Sequence, residues 1–324
     1  MQIVLDTFGL NLGVRNKCFL ISKGEEKRLV HPSRVNSILI TMPCRLSSPA
    51  ILLAANNEIA ITICSLSGKP EAKLWSPRFA NTTALRRKQY IFTTNPVGME
   101  WTKRIIETKL VHQMMNLKYI GDRKPAIKAE TDMAVGEISA LVRNLEMVDG
   151  AAADCVAKIR YFEAMAARNY WQVLGTKLPD PYYFTHRIKK GAFDSFNPSI
   201  NYLYAMLRNH VETGILSCGL DPALACMHRD GYNLPSLVFD LMEPFRPIID
   251  RLLIEQVLAG KLKGTTADEN GECRLTREGR LKLIAMFNEK LGKTMVYKKA
   301  KTNLTNHILL EIKLLVNEIR NHET

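Results

Sequence analysis

Glu163 lies three, four or seven residues from Val156, Ile159, Ala166 and Tyr170, and Leu174 continues the same row. On a helix that spacing places the carboxylate on the apolar stripe. A charge there must be neutralised, paired with a cation or coordinated to metal, because an uncompensated carboxylate in an apolar setting is costly. Residues 234–244 raise the same question twice. The stretch is apolar almost all round, yet it holds Asp240 and Glu243, three residues apart and on one side of a helical turn. Two such carboxylates repel unless a cation joins them, either a divalent metal or the arginines Arg246 and Arg251 of an interior salt-bridge network. His228 follows Asp221, which can cap a short helix, and Pro222, which can open it. Its imidazole, at that helix's end, is a structural residue or a ligand according to what it meets.

Competing chemistries fail on spacing. Gly292-Lys293-Thr294 lacks the upstream glycine of a phosphate-binding loop, and Cys218, Cys226 and His228 follow no zinc pattern. Residues 268–272 are acidic and turn-like but out of register for a calcium loop, so they read as a solvated loop. The seven cysteines include no Cys-x-x-Cys pair and are odd in number, which argues for reduced thiols. A formal charge of +13 attracts polyanions such as nucleic acid or an anionic membrane. With no leader-like start and no bilayer-length apolar run, a cytoplasmic location is expected.

The elements that must hold these residues fall into two groups. Short apolar runs at 2–5, 18–21, 37–40 and 59–64, separated by turn residues, predict strands, and Ser48-Pro49 opens an inserted helix at 50–55. Ser22-Lys23-Gly24 and Ser67-Gly68 are the expected hairpin turns. Asn95-Pro96-Val97-Gly98 breaks the pattern. Helical spacing follows, with Trp101, Ile105, Leu110 and Met114 on one helix and others expected at 127–148, 152–174, 199–217, 247–258 and 276–291. Leu304, Ile308, Ile312, Leu315 and Ile319 describe an amphipathic last helix. The expected fold is α+β: a small β-rich N-terminal domain (1–92), a linker (93–98) and a larger all-α catalytic domain (99–324). At 324 residues and 46% hydrophobic composition, the chain can bury a sizeable core.

Several of these segments resemble the CRISPR-associated adaptation integrases. Residues 163–171, Glu-Ala-Met-Ala-Ala-Arg-Asn-Tyr-Trp, are similar to that family's Glu-Gly-x-Ala-Ala-x-x-Tyr-Phe segment, with Ala164 for glycine and Trp171 for phenylalanine. Residues 197–207 resemble its asparagine-rich helix start, and 219–228 its histidine segment. Residues 240–247, Asp-Leu-Met-Glu-Pro-Phe-Arg-Pro, match its most distinctive run. The likeness runs from end to end, though in the N-terminal domain only as a pattern. Asp149-Gly150-Ala151-Ala152 offers a rival acid-glycine-alanine segment, but it lacks the aromatic pair at the right distance.

The resemblance implies metal ligation by Glu163, His228 and Glu243, with Asp240 beside them as a further acid or a support. Oxygen and imidazole donors suit Mg2+ or Mn2+, with a tilt toward manganese. It implies attack of a DNA 3′-hydroxyl on a phosphodiester without a covalent enzyme intermediate. It also implies a homodimer, with the N-terminal domain as the expected dimerisation element, joined to a small partner, Cas-two, and holding double-stranded DNA. Arg168, Arg187, Lys189, Lys190, Arg208 and Arg229 are candidate phosphate contacts or ordinary surface charge. Tyr182, Tyr183 and Phe184 stack on a splayed DNA end or pack in the core. Two other readings share the pattern: a catalytically inactive DNA-binding scaffold, which should show decayed metal positions, and a mobile-element integrase.

Overall fold

The apolar run at 37–40 becomes a strand buried at all four positions, as expected of the middle of a parallel sheet. In a computed structural model that describes residues 1–65, 70–76, 83–229, 231, 234–262 and 264–321, the chain is mixed α+β. Strands dominate the N-terminal region: β1 (Gln2–Leu5), β2 (Asn11–Arg15), β3 (Cys18–Lys23), β4 (Glu26–Val30), β5 (Ser37–Ile40) and β6 (Arg45–Leu46) precede helix α1 (Ser48–Asn56). Strands β7 (Ala60–Cys64) and β8 (Pro70–Leu74) follow it. One sheet runs β1-β5-β7-β8, parallel except for β8, and the other runs β4-β3-β2-β6. Ile3, Phe19, Ile38 and Ile61, with Ala50 and Ala54 of α1, form their shared core.

Helices follow: α2 (Thr83–Phe92), α3 (Pro96–Arg123), α4 (Lys128–Glu146), α5 (Ala152–Lys177), α6 (Phe196–Ser217), α7 (Ser236–Met242) and α8 (Arg246–Leu258). A hairpin of β9 (Thr265–Ala267) and β10 (Cys273–Leu275) precedes α9 (Arg277–Gly292). A second hairpin, β11 (Thr294–Tyr297) with β12 (Ala300–Asn303), leads into α10 (Leu304–Asn321). Among the described residues, no helix is long and apolar enough to cross a membrane. No disulfide joins the seven cysteines.

The chain forms two compact units. One comprises Met1–Arg86, Ala205–Asp221 and Ile284–Asn317; the other comprises Arg87–Tyr204, Pro222–Leu283 and the residues from Glu318 on. The first therefore recruits chain from well beyond the β-rich stretch. Apart from a short helix expected after Asp221, the strands and helices expected from the sequence are present, several with ends shifted by one to three residues. The expected turn between β3 and β4 is present but lies at Gly24 and Glu25, with Ser22 and Lys23 still paired in β3, whereas Ser67-Gly68 lies outside the described residues. Strands β4 and β8 carry mostly exposed or half-exposed residues, so no apolar run announces them. The two late hairpins are likewise too short and too exposed for alternation to stand out.

Candidate functional site

Three elements of the second unit bring the candidate residues together. Helix α3 opens at Pro96 with Asn95 as its cap, the Asn95 side chain accepting from Gly98 N at 2.8 Å. Its buried face carries Trp101, Ile105, Ile106 and Leu110, and among them a polar row of Thr102, Lys109, Gln113 and Asn116. Helix α5 buries Cys155, Ile159, Ala166, Tyr170 and Leu174 and presents Glu163 on the same side. After α7, Glu243–Phe245 forms a single 3-10 turn with Pro244 inside it, and α8 starts at Arg246. That turn points Glu243 into the interior, where its side chain is 3% exposed.

The cation that compensates these carboxylates is Lys109. Its ammonium lies 2.6 Å from Glu243 Oε2 and is in direct contact with Glu163 Oε1. Burial would lower the Lys109 pKa, but Glu243 and Glu163 overcome it and hold the ammonium above its ordinary value. Burial would likewise raise Glu243, but Arg246 and Lys109 hold its carboxyl down at about 2. Arg246 Nε stands 3.2 Å from Glu243 Oε1. Of the interior network considered from sequence, the Arg246 arm therefore exists. The Arg251 arm does not: Arg251 pairs with Glu255 and lies over the Tyr119 ring.

Asp240 plays a different part from Glu243. It is fully buried, and its two oxygens accept from the backbone N–H groups of Cys226, Met227 and His228 at 2.9–3.0 Å. The short helix expected over this segment is absent; residues 221–228 form turns and bends. Three consecutive N–H groups wrapped around one carboxylate take the place of helical hydrogen bonds. Asp240 Oδ1 also meets His228 Nδ1 at 2.7 Å, which leaves Nε2 turned toward Glu243, 3.9 Å from its Oε1. From α5, the Arg160 guanidinium donates to the Met227 carbonyl and ties the same loop down.

Glu163, His228 and Glu243 thus line one cavity, with Asp240 orienting the imidazole. Among the described residues, no three carboxylate, imidazole or thiol groups are close enough to hold a metal in this arrangement. The donor types nevertheless suit a divalent ion: Glu163 and Glu243 share Lys109 as their counter-ion, and the His228 imidazole stands 3.9 Å from Glu243.

Beside the carboxylates opens a cavity of about 330 Å³ lined by Lys109, Arg187, Lys189, Asn201, Tyr204 and Arg246. Arg187 donates to Asn197 and to Asn201 Oδ1 (2.7 Å for the latter), with its guanidinium 5.1 Å from the Trp171 ring. Beneath it, Asp250 accepts from Tyr204 and Tyr170, and Asn116 donates to the Tyr170 hydroxyl at 3.0 Å. Of the other candidate cations, Arg168 and Lys190 are exposed, and Arg229 is exposed next to His228. Arg208 belongs to the first unit, beside Glu212 and Cys64. Tyr182 and Phe184 are core residues, Tyr182 donating to the Leu262 carbonyl and Phe184 stacking on Phe196 at 5.0 Å; only Tyr183 is exposed.

Sequence reasoning missed Lys109, Arg160, Tyr204 and Asp250. Lys109 was findable, because it sits four residues after Ile105 and eight after Trp101, on the apolar stripe of α3.

A carboxylate pair, an imidazole and a basic cavity on a mixed α+β scaffold make a site whose positive charge suits a phosphate-bearing ligand. Residues 3–289 match the family of CRISPR associated protein Cas1. CRISPR-associated endonuclease Cas1 1 of Archaeoglobus fulgidus is 28% identical over 337 residues, which cover 99% of this chain and 96% of that protein. Among solved structures, a casposase bound to integration product superposes with a TM-score of 0.84 at 23% identity, covering 100% of this chain and 92% of the casposase. A Cas6-RT-Cas1–Cas2 complex gives a TM-score of 0.80 at 18% identity, covering 99% of this chain and 35% of that one. The two structural likenesses establish the fold. The family match establishes more: the chain belongs to the CRISPR associated protein Cas1 family.

Proposed function

We propose that this chain is the DNA-integrating enzyme of CRISPR adaptation, a metal-dependent endonuclease and transesterase that inserts short DNA into a repeat array. The reading rests on one observation above the others: in a chain of this family, Glu163, His228 and Glu243 line the same cavity as Arg187, Lys189 and Arg246. Glu163 and Glu243 would hold Mg2+ or Mn2+ through carboxylate oxygens and His228 through Nε2, the imidazole tilting the preference toward manganese. When bound, the ion supplies Lewis acidity at the scissile phosphate.

The chain's own side chains do the rest. Asp240 holds His228 by Nδ1, so that Nε2 is the free edge. Arg187, Lys189 and Arg246 offer positive charge to the phosphodiester and position it for in-line attack by a DNA 3′-hydroxyl. Arg168, Lys190 and Arg229 extend basic charge over the exposed surface. A homodimer with Cas2 as partner is the proposed assembly, in keeping with the Cas1–Cas2 complexes among the structural neighbours, and the proposed location is the cytoplasm.

The test is strand transfer of a short duplex into a repeat-bearing target, with purified chain and partner, in Mg2+, Mn2+, Ca2+ or chelator. Glu163→Ala should abolish product while leaving DNA affinity nearly unchanged. Product undiminished in that variant, or in chelator, overturns the assignment. An integrase outside the CRISPR system is the second reading, favoured by the likeness to a casposase. It would be preferred if the chain integrated with no requirement for a repeat sequence. An inactive scaffold is disfavoured because Glu163, His228 and Glu243 are all retained and line one cavity.

A further inference from the structure

Lys109 occupies the place where the proposed metal would bind. Its ammonium touches one oxygen of Glu163 and one of Glu243, the two carboxylates that would ligate the ion. Mg2+ needs such oxygens at about 2.1 Å, so an ion gripping the same pair would lie in contact with the Lys109 nitrogen. The two cannot share the position.

Charge balance points the same way. With Lys109 and Arg246 in place, the two cations match the charges of Glu163 and Glu243. Adding a divalent ion leaves an excess of positive charge around the buried Lys109 and Glu243, which a buried site tolerates badly. A phosphodiester entering the adjoining cavity would bring the missing negative charge, and the unbranched lysine stem lets the ammonium swing to meet it. His228 suits this picture, since its Nε2 faces Glu243 at 3.9 Å without a hydrogen bond to it.

We infer that Lys109 is a built-in competitor for the metal: it holds the carboxylate pair together without DNA and moves to the phosphate when DNA arrives, so that metal and DNA bind cooperatively. The inference rests on the metal-dependent reading given above. By linkage, the coupling must act equally in both directions. Lys109 acts here through the ligands it occupies and is a positioning residue.

The test measures Mn2+ affinity calorimetrically on the full chain, alone and with a short DNA duplex ended in dideoxynucleotides so that no strand transfer occurs. For the unmodified chain, DNA should tighten Mn2+ binding about tenfold or more. Lys109→Met, which keeps the bulk, and Lys109→Ala, which vacates the position, should each bind Mn2+ without DNA about tenfold more tightly than the unmodified chain, with little further gain from DNA. Their melting temperatures should be lowered and then restored by Mn2+, but not by NaCl at equal ionic strength. A lysine with a merely structural role would give destabilised variants with no gain in Mn2+ affinity, and that result overturns the inference. If the unmodified chain binds Mn2+ equally well with and without DNA, the inference also fails while the metal-dependent reading stands. If no form binds Mn2+ under any condition, the metal-dependent reading itself is lost.

Discussion

At the scale of single residues, the site consists of buried polar and charged groups, each matched to partners. Asp240 shows this most clearly, since one carboxylate satisfies three backbone N–H groups and an imidazole. Asp240→Ala strands those donors in a buried loop, and at about 1–3 kcal/mol for each lost partner it should lower unfolding free energy by at least about 3 kcal/mol. Denaturant unfolding measures this. A loss below about 1 kcal/mol would mean the loop does not depend on the carboxylate. Asp250 and Glu243 give opposite pH dependences. Burial between Tyr170 and Tyr204 pushes Asp250 up from 3.8 to about 7, against the hydrogen bonds from Tyr204 and Tyr170. The folded chain therefore holds that proton more tightly than the unfolded one. The resulting stability is complete below about 3.8 and is lost as pH rises through about 7. Glu243, held down from 4.5 to about 2, contributes stability above its unfolded value that is lost as pH falls toward 2. Asp250→Asn should therefore flatten the decline in melting temperature across the interval from about 3.8 to about 7. Parallel curves for variant and unmodified chain would contradict the burial argument.

At the scale of elements, two helix ends set the geometry of the site. The first turn of α3 is capped by Asn95, and Asn95→Ala should cost about 1 kcal/mol in thermal or denaturant unfolding, the ordinary value of such a cap. The end of α5 is fixed by close approach rather than by a cap. A Cβ on Gly175 would stand 2.3 Å from the Phe184 carbonyl oxygen and 2.7 Å from its ring. Alanine is the better helix former by roughly 1 kcal/mol, so Gly175→Ala would stabilise α5 if helix propensity ruled. The backbone contact cannot give way cheaply, and the variant should instead be destabilised. Its stability relative to the unmodified chain decides between the two by sign alone. The asparagine and glycine were readable as helix punctuation in principle, but only Asn95-Pro96 lay at a break in the pattern; nothing around Gly175 announces that Phe184 returns to it.

At the scale of the whole molecule, the charge of +13 should dominate the proposed DNA binding. The logarithm of affinity should fall linearly with the logarithm of salt concentration, with a slope of about −0.9 for each phosphate neutralised. Lys189→Gln, an exposed side chain at the cavity, should reduce that slope by about one. An unchanged slope would remove Lys189 from the phosphate contacts. Much of this molecule was legible in its amino-acid order. The periodicity around Glu163, the acid pair at Asp240 and Glu243 and the resemblance of residues 240–247 to one family's motif singled out carboxylates that the fold turns inward and must partner, because apolar spacing records which face an element buries. What that spacing cannot record is which element the face is buried against. Lys109 is 54 residues from Glu163 in the chain, and only the packing of α3 on α5 and on the 3-10 turn makes it their counter-ion. The turn structure of 221–228 has the same origin, since Asp240 supplies from a distant segment the acceptor that a local helix would otherwise have provided. Local order in the sequence thus set the elements and their buried faces, while the pairing of charges across them was decided in three dimensions, where compensation of a buried charge depends on distance in space and not along the chain.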